Sequence, residues 1–174
     1  MRIIIDMDDV LADASSKILS IFNQINKKNL EPSFFADKSF YDYVDSPNFK
    51  PYINYIYEPG FFSDLKVFPN AQEVVKELAE KHEVFVVSAA TEFPNSLKEK
   101  YDWIKEHFPF ISWRNFVLCG DKSIIKGDIM IDDHDKNLKT FKGEKILFDA
   151  LHNKLVNDYL RLNNWLEIHK YFFK

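Results

Sequence analysis

Short apolar runs rich in Ile and Val recur along the chain at Ile3 to Ile5, Val84 to Val87, Phe116 to Leu118, Ile129 to Ile131 and Ile146 to Phe148, each bounded by polar residues. Runs of this length without polar alternation read as strands buried on both faces of a parallel sheet. Helical patterns fall between them. Asn70, just after Pro69 and three residues before Glu73, resembles a capping box, and Val74, Val75 and Leu78 then recur at helical spacing, which predicts a helix over 70–81. Pro94 opens a second helix through NSLKEKYDWIKEHF, with Leu97, Tyr101, Ile104 and Phe108 on one face. Asn164 and Glu167 are placed to cap a last one through WLEIHKYFF. Strands alternating with helices predict an α/β fold, a doubly wound parallel central sheet flanked by helices.

The first crossover departs from this rhythm. The stretch from Asp6 to Asn70 is too long for one connection and holds a helix-like SSKILSIFNQINKK followed by an aromatic block, FFADKSFYDYV through YINYIYEPGFF. It predicts a small helical cap over residues 15–65, inserted after the first strand, with 1–14 and 66–174 as the core. The 174 residues, 46% of them hydrophobic, suffice for one sizeable core. A net charge of -4 with no long run of either sign lacks the basic footprint of a nucleic-acid binder. Cys119 is the only cysteine, and no apolar stretch approaches the ~18 residues of a membrane span. A cytoplasmic protein without disulfides is therefore expected. The five histidines show no ligand spacing with Cys119, so no zinc site is expected.

Chemistry enters at DMDDVLAD, where Asp6, Asp8 and Asp9 crowd behind the first strand although like charges repel and buried carboxylates are costly to desolvate. In an open parallel sheet, ligands bind beyond the carboxyl ends of the strands. Asp6 ends the first strand, Ser88 ends the second in EVFVVSAA, and Asp132 and Asp133 close DIMIDD. Three strands thus bring polar residues to one rim. Hard carboxylate oxygens gathered there suit Mg2+. With Mg2+ and a phosphate present, Asp6 can attack phosphorus to form an aspartyl-phosphate. Asp8, two residues on along an extended segment, can protonate the leaving oxygen. Ser88 and Lys122, in GDKS, can supply a donor and positive charge to the phosphate oxygens, with Lys126 as the rival lysine. The set predicts a Mg2+-dependent phosphomonoesterase.

These motifs resemble those of the haloacid dehalogenase-like phosphohydrolases. DMDDVLAD is similar to their first motif, and Ser88, Lys122 and DIMIDD, ten residues beyond that lysine, are similar to the second, third and fourth in order. Within that superfamily, DMDDVLAD, EPGFFSDLKVFPNA, the spacing from DKS to IDD, ILFDALHN and RLNNW together resemble the 5'(3')-deoxyribonucleotidase family. The resemblance implies a Rossmann-like core and Mg2+-dependent hydrolysis of deoxynucleoside monophosphates such as dUMP and dTMP. It implies Asp6 as nucleophile and metal ligand, and Asp8 as acid/base with its backbone carbonyl on the metal. Asp132 would be a further metal carboxylate with Asp133 supporting it, and Ser88 and Lys122 would hold phosphate. Phe61 and Phe62 would form an apolar wall around base and sugar. Two positions depart from the family: Asp9, where Gly is frequent, and Ala89, where a second hydroxyl is frequent. The Asp9 side chain is expected to point away from the phosphate while its backbone amide binds it.

Blander roles compete at several positions. Ser88 could cap the following turn, and the Phe61–Phe62 pair could be core. Asp13 reads as a helix N-cap, and Asp149 and His152 in FDALHN, close enough to the rim for a supporting role, read first as loop hydrogen-bonding residues. Two other functions fit the same rim: a phosphatase of another small phosphomonoester, and a nucleotide-binding module of the same fold without turnover. Trimming of DNA phosphate ends is opposed by the acidic balance. The expected partner is a nucleoside monophosphate, with no nucleic acid and no membrane, and a homodimer is a candidate assembly.

Overall fold

The computed structural model describes residues 1–44 and 52–173. The five apolar runs form β1 (Arg2–Ile5), β2 (Glu83–Ser88), β3 (Phe116–Leu118), β4 (Ile129–Asp132) and β5 (Glu144–Phe148), and a sixth strand, β6 (Leu160–Leu162), completes the sheet. Every pairing is parallel, in the order β3-β2-β1-β4-β5-β6. Along β1, Ile3 and Ile5 enter the larger apolar cluster with Leu78, Trp103 and Trp165, whereas Ile4 faces the opposite way onto Met130, Leu138 and Leu147. Burial on both faces is why the run carries no polar alternation. The edge strand β6 has no such run. It is three residues long and centred on Arg161, whose guanidinium binds Asp149 at 2.8 Å and the carbonyls of Asn153 and Val156.

The helices are α1 (Ala14–Asn26), α2 (Phe40–Val44), α3 (Tyr52–Tyr57), α4 (Ala71–Lys81), α5 (Ser96–His107), α6 (Asp135–Thr140) and α7 (Trp165–Phe172). Asp13 caps α1 by accepting from Ser16 N at 3.0 Å, and Asn164 caps α7 by accepting from Glu167 N at 3.0 Å. The expected capping box of α4 does not form. Asn70 lies in the left-handed region (φ +63°) and makes no side-chain cap bond. The buried face of α5 also differs from the expected one: it is Ser96, Lys100, Trp103 and Ile104, while Tyr101 is exposed. A lysine on the buried stripe shifts the face by part of a turn, for a reason the site supplies.

Helices α1 to α3 occupy the stretch between β1 and α4. At its base, Phe68 N donates to Leu11 O at 2.9 Å and Asp13 N to Lys66 O at 2.8 Å, so the chain leaves and returns side by side. Trp103 Nε1 closes the return by donating to Leu65 O at 2.8 Å. The apolar side chains of this stretch, among them Phe22, Phe35 and Phe40, continue the same cluster as the strands. Residues 45–51 of the expected cap and aromatic block lie outside the described residues. Among the described residues, no helix is long and apolar enough to cross a membrane.

Candidate active site

The strand order reverses at β1, which has β2 on one side and β4 on the other. Crevices at such switch points, beyond the carboxyl ends, are where open α/β sheets bind ligands. Asp6 follows β1 directly and donates its backbone N–H to Ile131 O at 2.9 Å, while Ser88 and Asp132 are the last residues of β2 and β4. The sheet alone therefore brings these three together.

Lys122 joins them from a 3-10 turn after β3. Its buried ammonium lies 2.6 Å from Asp6 Oδ1 and 2.7 Å from Asp132 Oδ2. Lys126, the rival, lines a groove with Met1 and Arg2 at the amino ends of the strands, the far side of the sheet. Asp132 also accepts from His134 N at 2.9 Å and from Asn137 Nδ2 at 2.9 and 3.1 Å. Carboxylate oxygens of Asp6, Asp132 and Asp133 lie within 4.8 Å of one another. Burial pushes the Asp6 carboxyl well above the usual carboxylate range; Lys122 opposes this, and Asp132, Asp133 and Asp8 reinforce it. Burial alone would lower Lys122, yet Asp132 and Asp6 together raise it, so the ammonium is held firmly charged.

Asp8 faces a cation outside the predicted set. Lys100, fully buried on α5, places Nζ 2.5 Å from Asp8 Oδ2 and 3.0 Å from Ser88 Oγ, and Ser88 Oγ is 3.4 Å from the same Asp8 oxygen. Periodicity does not announce it: only the fold shows that Ser96, Lys100, Trp103 and Ile104 form the buried stripe, and a lysine there needs a buried partner. Asp8 keeps 29% of its side chain exposed against 7% for Asp6 and 1% for Asp132, so it is the acid of this set most open to solvent.

Phe61 and Phe62 are both buried, edge to face with centroids 4.9 Å apart. Their turn hangs on α5, because the Glu99 carboxylate accepts from Gly60 N at 2.5 Å and from Phe62 N at 3.0 Å. The Phe62 ring sits 4.3 Å from Lys100 Nζ, beside Asp8 and Ser88, whereas Phe61 faces Lys17 of α1 at 4.9 Å. The structure thus brings Phe62 to the site and leaves Phe61 against α1.

Asp9 has φ +54°, a backbone state that suits Gly and that Asp tolerates when its side chain bonds locally. It does: Oδ1 accepts from Ser15 N at 2.7 Å and Oδ2 from Ser15 Oγ at 2.5 Å. Its backbone N–H donates to Ala12 O at 2.7 Å, so the expectation that this amide grips phosphate is corrected. Asp149 pairs with Lys154 and Arg161 in its loop. His152, in the 3-10 turn of the same loop, instead reaches the rim: its side chain is only 4% exposed and its Nε2 lies 2.9 Å from Asp133 Oδ2. Burial opposes its charge, but the Asp133 contact and the Asp9 charge raise its pKa, and Asp133 is held below the usual carboxylate range by His134 and His152 against its own desolvation.

The donor set fits Mg2+. Oδ1 of Asp8 and Oδ1 of Asp133 are buried and have no hydrogen-bond partner among the described residues, and the acidic cluster offers only hard carboxylate oxygens. A second group among the described residues, Asp133, His134 and His152, also brings its ligand atoms within 4.8 Å of one another although the histidine spacing predicts no zinc site, and its two imidazoles stack at 4.4 Å with their planes 26° apart.

The fold has solved counterparts. The chain aligns with a haloacid dehalogenase superfamily hydrolase from Ehrlichia chaffeensis over 98% of its own length and 94% of the other, with a TM-score of 0.59 at 14% identity. A haloacid dehalogenase-like hydrolase from Streptococcus pneumoniae gives 0.57 at 14% identity, covering 98% and 97%. The architecture is thus that of the haloacid dehalogenase-like hydrolases. At closer range, the family model of 5' nucleotidase, deoxy (pyrimidine), cytosolic type C proteins matches residues 1–173. The 5'(3')-deoxyribonucleotidase of Bacillus subtilis strain 168 is 45% identical over 168 residues, 97% of this chain and 96% of that one. The chain belongs to this deoxyribonucleotidase family and is a phosphomonoester hydrolase.

Proposed function

We propose that the protein is a Mg2+-dependent 5'(3')-deoxyribonucleotidase that hydrolyses deoxynucleoside monophosphates of the dUMP and dTMP kind through an aspartyl-phosphate on Asp6. The observation that carries this reading is the meeting of the Asp6, Asp132 and Asp133 carboxylates with the Lys122 ammonium at the switch point of the sheet. Family membership and the name of the Bacillus subtilis relative support the substrate class.

Asp6, Asp132 and the backbone carbonyl of Asp8 would hold Mg2+, with Asp133 supporting. When bound, the ion offsets the repulsion among the carboxylates and the incoming phosphate. An Asp6 oxygen attacks phosphorus, and the bond from phosphorus to the nucleoside oxygen breaks as the Asp8 carboxyl gives its proton to that oxygen. Asp8 then takes a proton from a water that attacks the phosphorus of the aspartyl-phosphate. Phosphate leaves and Asp6 is restored. Lys122 and Ser88 hold the equatorial oxygens, and Lys100 orients Asp8. Residues 15–65 act as a cap whose closure excludes water during the first step, with Phe62, and Phe61 behind it, as the apolar wall against the nucleoside.

The test is phosphate release by the purified chain from dUMP, dTMP, deoxynucleoside 3'-monophosphates and sugar phosphates, with Mg2+ and with EDTA. Fast, Mg2+-dependent release from the deoxynucleotides, absent in Asp6→Asn, is expected. Turnover of sugar phosphates with dUMP and dTMP untouched would overturn the substrate, and equal rates in EDTA would overturn the metal.

A further inference from the structure

We infer that His152 is a positioning residue of this centre: its imidazole holds Asp133 in place among the metal-binding carboxylates, seated against Tyr41 of the inserted stretch. The inference rests on the metal-dependent reading above. Asp133 is buried next to Asp6 and Asp132, yet the ammonium of Lys122 reaches only those two. A carboxylate removed from water needs a fixed partner. His152 provides one, with Nε2 2.9 Å from Asp133 Oδ2 and only 4% of its side chain exposed. The next residue holds the same aspartate by its main chain: Asn153 Nδ2 donates to Asp133 O at 2.8 Å and to Phe148 O at 2.8 Å, which ties the loop to the end of β5.

The approach of His152 Nε2 to Asp133 Oδ2 is one at ion-pair distance, with His134 Nε2 also 3.5 Å from the same oxygen, and Asp133 Oδ1 and both ring nitrogens of His152 are buried without a hydrogen-bond partner among the described residues. Neighbouring rings pack against the imidazole at this contact. It packs on His134 at 4.4 Å and under Tyr41 at 4.9 Å, and its Nδ1 side faces Asp9 at 3.7 Å. His152 therefore links the carboxylate behind β4, the left-handed residue behind the nucleophile and an aromatic side chain of α2. Groups that orient a metal's carboxylates usually change metal affinity by roughly 10- to 100-fold when removed.

Two variants of the full chain separate the roles of the ring. His152→Phe keeps a flat ring against Tyr41 and His134 but loses Nε2, and His152→Gln offers an amide where Nε2 stood. Titration calorimetry with MgCl2 is the primary readout, with p-nitrophenyl phosphate kinetics across Mg2+ concentrations and thermal midpoints alongside. The expected result is Mg2+ binding weakened on the order of 10- to 100-fold in His152→Phe, most of it regained in His152→Gln, and KM for the ester at saturating Mg2+ unchanged in both. A His152→Phe that binds Mg2+ as the wild type does overturns the inference alone, and so does a folded His152→Gln as weak as His152→Phe. A wild type that binds no Mg2+ overturns the metal-dependent reading and the inference with it.

Discussion

The Nζ of Lys100 lies 2.5 Å from Oδ2 of Asp8, across a separation of 92 positions in the chain. The contact joins the loop after β1 to α5, and 3.0 Å away the same ammonium meets Ser88 at the end of β2. One residue earlier on α5, Glu99 holds the backbone of the turn that carries Phe62. The start of α5 thus sets both the proposed acid/base and the wall beside it.

Lys100→Met removes the cation and keeps a side chain of similar length. Loss of one member of a fully buried pair costs about 3–5 kcal/mol. Here the cost should fall below that range, because Asp8 keeps 29% of its side chain in solvent. Misplacement of Asp8 should lower kcat on the order of 100-fold. Thermal melts and steady-state kinetics check both, and an unchanged kcat would remove Lys100 from the machinery.

Asp6→Asn should separate activity from stability. Turnover should drop by roughly 10⁴-fold or more with the nucleophile gone. In metal-free protein the variant should nevertheless melt higher at neutral pH, because burial raises the Asp6 pKa and keeping that carboxyl charged in the fold is unfavourable. A lower midpoint in EDTA would contradict this account of Asp6.

Asp9 makes a prediction in pH. Burial, opposed by His152, pushes its carboxyl from 3.8 up to about 7. A group that binds its proton more tightly when folded favours folding at acid pH, and that contribution is lost as pH rises from about 4 to about 7. Asn tolerates the left-handed φ and titrates nothing. In EDTA, the midpoint of Asp9→Asn relative to wild type should therefore rise between pH 5 and pH 8. A constant difference across that range would rule the effect out.

Mg2+ should stabilise the fold by mass action, by about 2.7 kcal/mol when its concentration is 100 times its dissociation constant. Asp132→Asn removes a proposed ligand charge that now bonds Lys122 and Asn137, and should abolish most of the shift. The check is a set of melts over a Mg2+ series, with NaCl at matched ionic strength as a control for nonspecific ionic effects.

The sequence by itself determined the first five strands and the residues at their ends, because burial in a parallel sheet writes an unbroken apolar run and the residue after such a run must lie at the sheet's rim. For the same local reason it determined the caps at Asp13 and Asn164 and the order of the acidic motifs. The sequence placed Lys122 ahead of Lys126, and the fold seats it between Asp6 and Asp132; tertiary structure alone turned α5 so that Lys100 meets Asp8, closed the edge with β6 and set His152 on Asp133. Periodicity records only whether a side chain is apolar. Whether a lysine or histidine is buried depends on the charge that faces it from a distant part of the chain, and only the assembled fold brings that charge within reach.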